Sequence, residues 1–165
     1  SDVSQGLELP ANWLPEAAGA AQGAIFYQAQ DMVAAGTAGV TILEGRTWSV
    51  GKLLAWTPSA PGNTLTLKLN VAKAGRYRLA ITGAHTPTSG RFTAAVDGGK
   101  DMAPTVDLYT PHQHMLRTVF LQTGRGPELD LSAGDHTLTL TARGKGTASA
   151  GTDIGIDFIW LLSGD

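Results

Sequence analysis

The strongest constraint on the fold of this chain is a strict alternation of apolar and polar residues. In Thr64–Val71 every second residue is leucine or valine, and the residues between them are Thr, Lys and Asn. Side chains of a β-strand point to opposite faces in turn, so this pattern places all the apolar residues on one side. The segment is therefore predicted to be a strand with one buried face and one solvated face.

The same alternation recurs along most of the chain. It is present in Arg76–Thr82 and in Thr137–Thr141, and Gly, Pro, Asn and Asp separate the runs. Many short strands with such turn residues are typical of a sandwich or barrel. Further strands are predicted at 24–31, 40–46, 91–97, 105–109, 115–122 and 154–162.

Two turns are also predicted from local sequence. Ala74-Gly75 favours a tight turn, which would make residues 64–83 a β-hairpin. Val96-Asp97-Gly98-Gly99 has the composition of a second turn.

Residues 1–23 lack a clear period. They contain Pro10, Pro15 and a run of Ala and Gly from Ala17 to Ala24. We therefore predict a poorly structured leader over 1–23 that packs on a β-domain formed by 24–165. Trp13 and Leu14 are expected to contact the body of the domain, because an exposed tryptophan at a mobile end would promote aggregation.

Charge and composition exclude several functions. The chain has 12 basic and 14 acidic residues, a net charge of −2 and no basic run, so no nucleic-acid partner is expected. The absence of cysteine excludes disulfides and thiolate sites. No apolar stretch approaches the length of a membrane span, and no signal-peptide pattern opens the chain.

Motifs of enzyme active sites are absent from the sequence. There is no G-x-S-x-G, H-E-x-x-H or phosphate-binding glycine loop. A glycosidase would need two paired carboxylates, and none of the acidic residues can be paired from the sequence. The chain is therefore predicted not to be an enzyme.

Polar and titratable residues concentrate between two predicted strands, in Asp107–His114 followed by Arg117. His112 and His114, with Asp107, could ligate zinc. A zinc site is the less favoured interpretation, because the two imidazoles lack a third spaced ligand. A sugar-binding loop fits better, because Tyr and His rings cover pyranose C–H groups while Asp and Arg bind vicinal hydroxyls.

Two tryptophans are further candidates for an aromatic platform. Trp48 and Trp56 would share one side of a continuous strand, but Gly51 between them argues against continuity. Burial of a tryptophan in a sandwich core is the commoner outcome. We therefore favour Trp48 over Trp56 as a sugar contact.

Three motifs resemble the carbohydrate-binding-module-like domains that are appended to bacterial secreted glycoside hydrolases. They are the A-G-x-Y-x-L strand around Tyr77, the V-D-G turn at Val96–Gly98 and the A-G-x-H-x-L strand around His136. The resemblance spans about residues 24–162. It implies a single all-β domain, a two-sheet antiparallel β-sandwich of the jelly-roll type.

A related group of calcium-dependent modules opens with an E-A-E strand, and an Asp of the last strand completes its calcium site. The corresponding positions here are Gln28, Gln30 and Asp157. Calcium favours several carboxylate oxygens, so the two glutamines weaken this site, and the three side chains could instead hydrogen-bond across the strands. No cofactor is therefore required, and a structural calcium stays an open alternative.

The resemblance implies a non-catalytic module that binds an oligo- or polysaccharide, fused to a catalytic domain of an extracytoplasmic, secreted bacterial protein. The alternatives are a structural or oligomerisation sandwich that packs on a catalytic neighbour and, less favoured, a small hydrolase or lyase. Sugar contacts are expected from the following residues: Arg46, Trp48, His85, Arg91, Tyr109, His112, His114 and Arg117.

Overall fold

The structure is a computed structural model that describes residues 24–45, 51–112, 115–120 and 129–163. Its described part contains eleven strands and one short helix. The strands are β1 (Ala24–Gln28), β2 (Val40–Glu44), β3 (Lys52–Trp56), β4 (Thr64–Val71), β5 (Gly75–His85), β6 (Arg91–Val96), β7 (Met102–Asp107), β8 (Met115–Phe120), β9 (Leu129–Leu131), β10 (Gly134–Ala142) and β11 (Ile154–Ser163). The helix α1 (Ala29–Met32) follows β1 directly.

The strands form two antiparallel sheets. The larger sheet has seven strands with the order β2-β3-β11-β5-β8, while β1 also pairs with β11 and β9 also pairs with β5. The smaller sheet has the order β4-β10-β6-β7. The predicted all-β, two-sheet antiparallel sandwich is confirmed.

The core lies between the two sheets and is built by the alternation seen in the sequence. In β4 the leucines and the valine are buried and the intervening Thr, Lys and Asn are exposed. In β10 the alternate residues His136, Leu138, Leu140 and Ala142 are buried in the same way. Such interdigitated inner faces supply most of the stabilisation of a sandwich.

The predicted hairpin over residues 64–83 is wrong. β4 pairs with β10 in the small sheet, whereas β5 pairs with β11, β8 and β9 in the large sheet. The Ala74-Gly75 link therefore crosses from one sheet to the other. Alternation shows that both strands bury one face, but it does not show whether the strands lie side by side or face to face across the core.

The first predicted strand is shorter than expected. β1 ends at Gln28, and the chain turns into α1, where Ala29 and Met32 are buried in the core. Residues three positions apart lie on one face of a helix, so this single turn directs both side chains inward.

The predicted turn at Val96–Gly99 is confirmed and joins β6 to β7. Asp97 has φ 52° and Gly98 φ 71°, and the amide of Gly99 donates to the carbonyl of Val96 at 2.9 Å. The left-handed backbone is the reason for glycine at position 98.

The buried ring of His136 fastens this turn to β10. His136 Nδ1 donates to Asp97 Oδ2 at 2.6 Å, and Nε2 donates to the carbonyl of Ser132 at 2.8 Å. The other oxygen of Asp97 accepts from the amide of Thr137 at 2.9 Å.

The predicted leader over 1–23 lies outside the described residues, so the boundary of the domain at residue 24 stays a prediction. Within the described part of the chain, no helix is long and apolar enough to cross a membrane.

Candidate functional site

Five of the predicted sugar-contact residues are described, and they gather at one end of the sandwich. His85 ends β5, Arg91 begins β6, Tyr109 and His112 lie between β7 and β8, and Arg117 lies in β8. The other three, Arg46, Trp48 and His114, lie outside the described residues. We call the region formed by His85, Arg91, Asp107, Tyr109 and Arg117 the loop end.

Asp107 is the residue that connects the loop end. Its Oδ2 accepts from Arg91 Nε at 3.0 Å, and its Oδ1 accepts from the backbone amide of Tyr109 at 3.0 Å. The Arg91 and Asp107 side chains are 43% and 40% exposed, so both can contact a ligand from solvent. Because the carboxylate fixes both neighbours, the guanidinium and the Tyr109 backbone are held in place before any ligand binds.

The segment that bears Tyr109 is hydrogen-bonded to both ends of the connection between β5 and β6. The amide of Thr86 donates to the carbonyl of Leu108, and the amide of Thr110 donates to the carbonyl of Thr86, each at 3.1 Å. On the other side, the amide of Leu108 donates to the carbonyl of Gly90 at 3.1 Å. Tyr109 is therefore positioned on a rigid scaffold, as is common for binding residues on loops.

Within the loop end, His85 is a buried residue with little surface open to a ligand. Burial lowers the pKa of His85, and the positive charge of Arg117 adds to this, which together outweigh the hydrogen bond to the Gly83 carbonyl and the charge of Asp107. The lowered pKa favours the neutral imidazole, and the ring hydrogen-bonds to the Gly83 carbonyl at 3.3 Å. His112 and Arg117, by contrast, are exposed, and Tyr109 is half-buried.

Gly146 closes one side of the Arg91 side chain. A Cβ atom at position 146 would lie 2.9 Å from the terminal guanidinium nitrogen of Arg91 and 3.8 Å from Asp107 Oδ2. A side chain at this position would require the end of the Arg91 side chain to move.

The described residues give no metal cluster at the loop end. Across the described ranges no group of three His, Cys, Asp or Glu side chains could hold a metal ion. The alternative zinc reading also included His114, which lies outside the described residues.

Two of the candidate calcium residues, Gln28 and Asp157, lie on the neighbouring strands β1 and β11, whereas Gln30 lies in α1. Gln28 pairs with Phe158, next to Asp157, and both polar side chains are fully buried. The Oε1 atom of Gln30 is also buried and accepts no hydrogen bond within the described part of the chain. This donor set contains one carboxylate and two neutral amides. Calcium prefers several charged oxygens, so these residues fit it poorly.

Trp56 is buried in the core and is not a platform for a ligand. β3 begins at Lys52, directly after Gly51, which has φ 76°, and Trp48 lies outside the described residues. This confirms the preference for a core role at Trp56.

A groove of about 320 Å³ lies on the outward face of the large sheet, and the sequence analysis did not predict it. Its lining comes from β2, β3, the end of β5, the start of β11 and the loop residues beside them, which are distant in the chain. The residues are mostly Thr, Ala and Gly, and such residues in strands give no signal of a site until the pairing register is known.

Solved structures with the same fold include parts of polysaccharide-acting enzymes. A xanthan lyase from Paenibacillus matches with a TM-score of 0.74 and 18% identity over 84% of this chain and 13% of that chain. The GH26-CBM35 β-(1,4)-mannanase of Podospora anserina matches with a TM-score of 0.59 and 19% identity over 87% of this chain and 28% of that chain. This chain therefore spans only a small part of either enzyme.

A separate binding module matches over nearly its whole length. The family 35 carbohydrate-binding module from Clostridium thermocellum has a TM-score of 0.54 and 19% identity, over 84% of this chain and 98% of that chain. No family model and no curated protein matches the sequence. The chain has the jelly-roll fold of a carbohydrate-binding module, which confirms the fold that the sequence motifs implied.

Proposed function

We propose that this domain is a non-catalytic carbohydrate-binding module that binds an oligo- or polysaccharide at the loop end. The observation that supports the proposal most directly is the preorganised group of Arg91, Asp107 and Tyr109. The exposed guanidinium and carboxylate offer hydrogen-bonding groups for vicinal hydroxyls, and the half-buried Tyr109, whose backbone amide is bound to Asp107, contributes an aromatic ring for pyranose C–H groups.

The arrangement of Asp107 favours binding over hydrolysis. A glycosidase needs two carboxylates on either side of the scissile bond, with the pKa of the acid raised. Asp107 is instead bonded to Arg91 and to the amide of Tyr109. The carboxyl of Asp97 has a lowered pKa and is tied to His136 in a turn.

The proposed function also suggests what kind of protein this domain belongs to. Domains with this fold occur as small parts of a xanthan lyase and a mannanase. We infer a fused polysaccharide-acting catalytic domain as partner and a secreted, extracytoplasmic location, on analogy of fold.

The first test is a glycan-array screen of the domain, followed by titration calorimetry with the best ligand. Tyr109→Ala and Arg91→Ala are expected to weaken binding about tenfold or more, which corresponds to about 1.4 kcal/mol. Arg76→Ala is the matched control, because Arg76 forms an exposed ion pair with Asp130 at the opposite end of β5. Unchanged affinity in Tyr109→Ala and Arg91→Ala would rule out the loop end as the binding site.

A second function, packing against a neighbouring domain, is favoured by one feature of the large sheet. β2 is an edge strand, and its Ile42 and Leu43 are 39% and 44% exposed. An exposed apolar edge is a template for association. This function would be favoured over sugar binding if the domain bound no glycan on the array and self-associated, and if Ile42→Lys abolished the self-association.

A further inference from the structure

We propose that the groove on the outward face of the large sheet is a second sugar site, distinct from the loop end, that accepts a neutral pyranose residue. The inference rests on the proposed function, since both sites would serve carbohydrate binding. At about 320 Å³ the groove is at the small end of ligand sites, which span roughly 300–1,000 Å³. It suits one or two sugar residues of a chain.

The floor of the groove is a row of small residues that crosses four strands. Thr41 pairs with Ala55, Ala55 with Gly155, and Gly155 with Ala84. Leu54 and Trp56 point into the core, so Ala55 between them points outward. Small side chains in one register row leave a trough across the sheet.

One wall of the trough is apolar. Leu43 pairs with Leu53 in the next outward row, and both line the groove. A Cβ atom at position 155 would lie 3.0 Å from Leu53 Cδ2 and 3.2 Å from the Ala84 Cβ, so a larger residue there would crowd the floor. The C–H face of a pyranose can cover such a surface.

The opposite wall is polar and centres on Asp153. Its Oδ1 accepts from the Thr57 hydroxyl at 3.2 Å, and its Oδ2 accepts from the Thr88 hydroxyl at 3.1 Å. Each carboxylate oxygen has capacity for a further hydrogen bond, and each threonine hydroxyl can also accept one. This wall therefore offers acceptors to the hydroxyl groups of a sugar.

The polar wall is held rigidly. The amide of Asp153 donates to the carbonyl of Thr88 at 3.0 Å, and the amide of Gly90 donates to the carbonyl of Asp153 at 2.8 Å. Behind it, the buried hydroxyl of Ser149 donates to the carbonyl of Ser89 at 2.6 Å. A wall fixed in this way loses little entropy when a ligand binds.

Charge distinguishes the two sites. Among the lining residues that the structure describes, Asp153 is the one charged side chain, so the groove disfavours acidic sugars. The loop end contains Arg91 and Arg117 beside Asp107. The groove is therefore assigned to neutral sugars, and residues 86–90 separate it from the loop end.

The test follows the backbone amides of the ¹⁵N-labelled domain by NMR during titration with cellobiose, mannobiose, β-linked galactobiose and glucuronic acid. Saturable shifts are expected at Ala55, Asp153 and Gly155 with at least one neutral disaccharide and not with glucuronic acid. Ala55→Leu, which fills the floor, is expected to weaken this binding at least about tenfold. Thr139→Leu on the outward face of the small sheet is the control, and thermal unfolding verifies that both variants fold.

The outcomes separate the two proposals. Shifts confined to the loop end would overturn the groove site and leave the loop end supported. Shifts confined to the groove and lost in Ala55→Leu would support the groove and contradict the loop end. Groove shifts that persist in Ala55→Leu, or no saturable shift with any of the four sugars, would overturn the groove site.

Discussion

The ring of His136 makes a measurable contribution to stability that depends on pH. Both ring nitrogens donate hydrogen bonds, one to the carboxylate of Asp97 and one to the carbonyl of Ser132. A hydrogen bond to a charged group contributes about 1.5–3 kcal/mol and a neutral one about 0.5–1.5 kcal/mol. Asp97 is 47% exposed and regains water when the ring is removed, so His136→Ala is expected to lower the free energy of unfolding by about 2–3 kcal/mol.

The sign of the pH dependence follows from the two partners. The hydrogen bonds to Asp97 and to the Ser132 carbonyl raise the pKa of His136 above 6.5 against the opposing effect of burial. Desolvation raises the pKa of Asp97, but the hydrogen bonds from His136 and Thr137 and the imidazolium charge outweigh it, so this pKa lies below 3.8. The stabilisation is complete between pH 3.8 and 6.5, and is lost as the pH rises through the folded pKa of His136 or falls through that of Asp97.

Urea unfolding at pH 5.5 and pH 9, followed by the fluorescence of the buried Trp56 and Trp160, measures this effect. The difference in unfolding free energy between the wild type and His136→Ala is expected to be larger at pH 5.5, by about 1.4 kcal/mol for each unit of raised pKa. His85 titrates in both proteins and cancels in this difference. His112→Ala, which removes an exposed ring, should follow the wild type, and an equal difference at both pH values would refute the reasoning.

Three further predictions concern packing and metal binding. Gly90→Ala is expected to lower the free energy of unfolding in urea by about 1–3 kcal/mol, because its Cβ would lie 2.8 Å from Thr152 backbone atoms. The control Gly75→Ala, whose Cβ would make ordinary contacts from 3.5 Å, should lower this free energy less than half as much. Leu138→Ala is expected to cost about 2–5 kcal/mol, since the residue is fully buried between the sheets, and a loss below 1 kcal/mol would show that the core relaxes around it. Chelation of calcium is expected to leave the melting temperature unchanged, because Gln28, Gln30 and Asp157 supply one carboxylate; a fall of several degrees would restore the calcium site.

The sequence predicted the faces of the strands better than their partners. The alternation in Thr64–Val71 identified the buried residues of β4 correctly, because one face of a sandwich strand must be apolar. It also led to the wrong hairpin with β5, because a strand in the facing sheet buries the same kind of face. Partner choice depends on contacts between distant segments, such as β4 with β10, and one strand pattern does not specify them.

The candidate sites, too, could be predicted only in part from the sequence. The concentration of polar residues in Asp107–Arg117 pointed to the loop end, and the structure shows why it is ordered, through the bonds of Asp107 to Arg91 and Tyr109. The groove could not be predicted, because Thr41, Ala55, Ala84 and Gly155 have no unusual sequence context. They form a trough only when four strands bring them into one row.

Binding at the loop end is the central claim, and titration calorimetry of Tyr109→Ala beside Arg76→Ala, with the best glycan from the array, tests it most directly. We predict that Tyr109→Ala binds at least about tenfold more weakly than the wild type, whereas Arg76→Ala binds as the wild type does. Equal affinities for the wild type and Tyr109→Ala, with both proteins folded, would contradict the account.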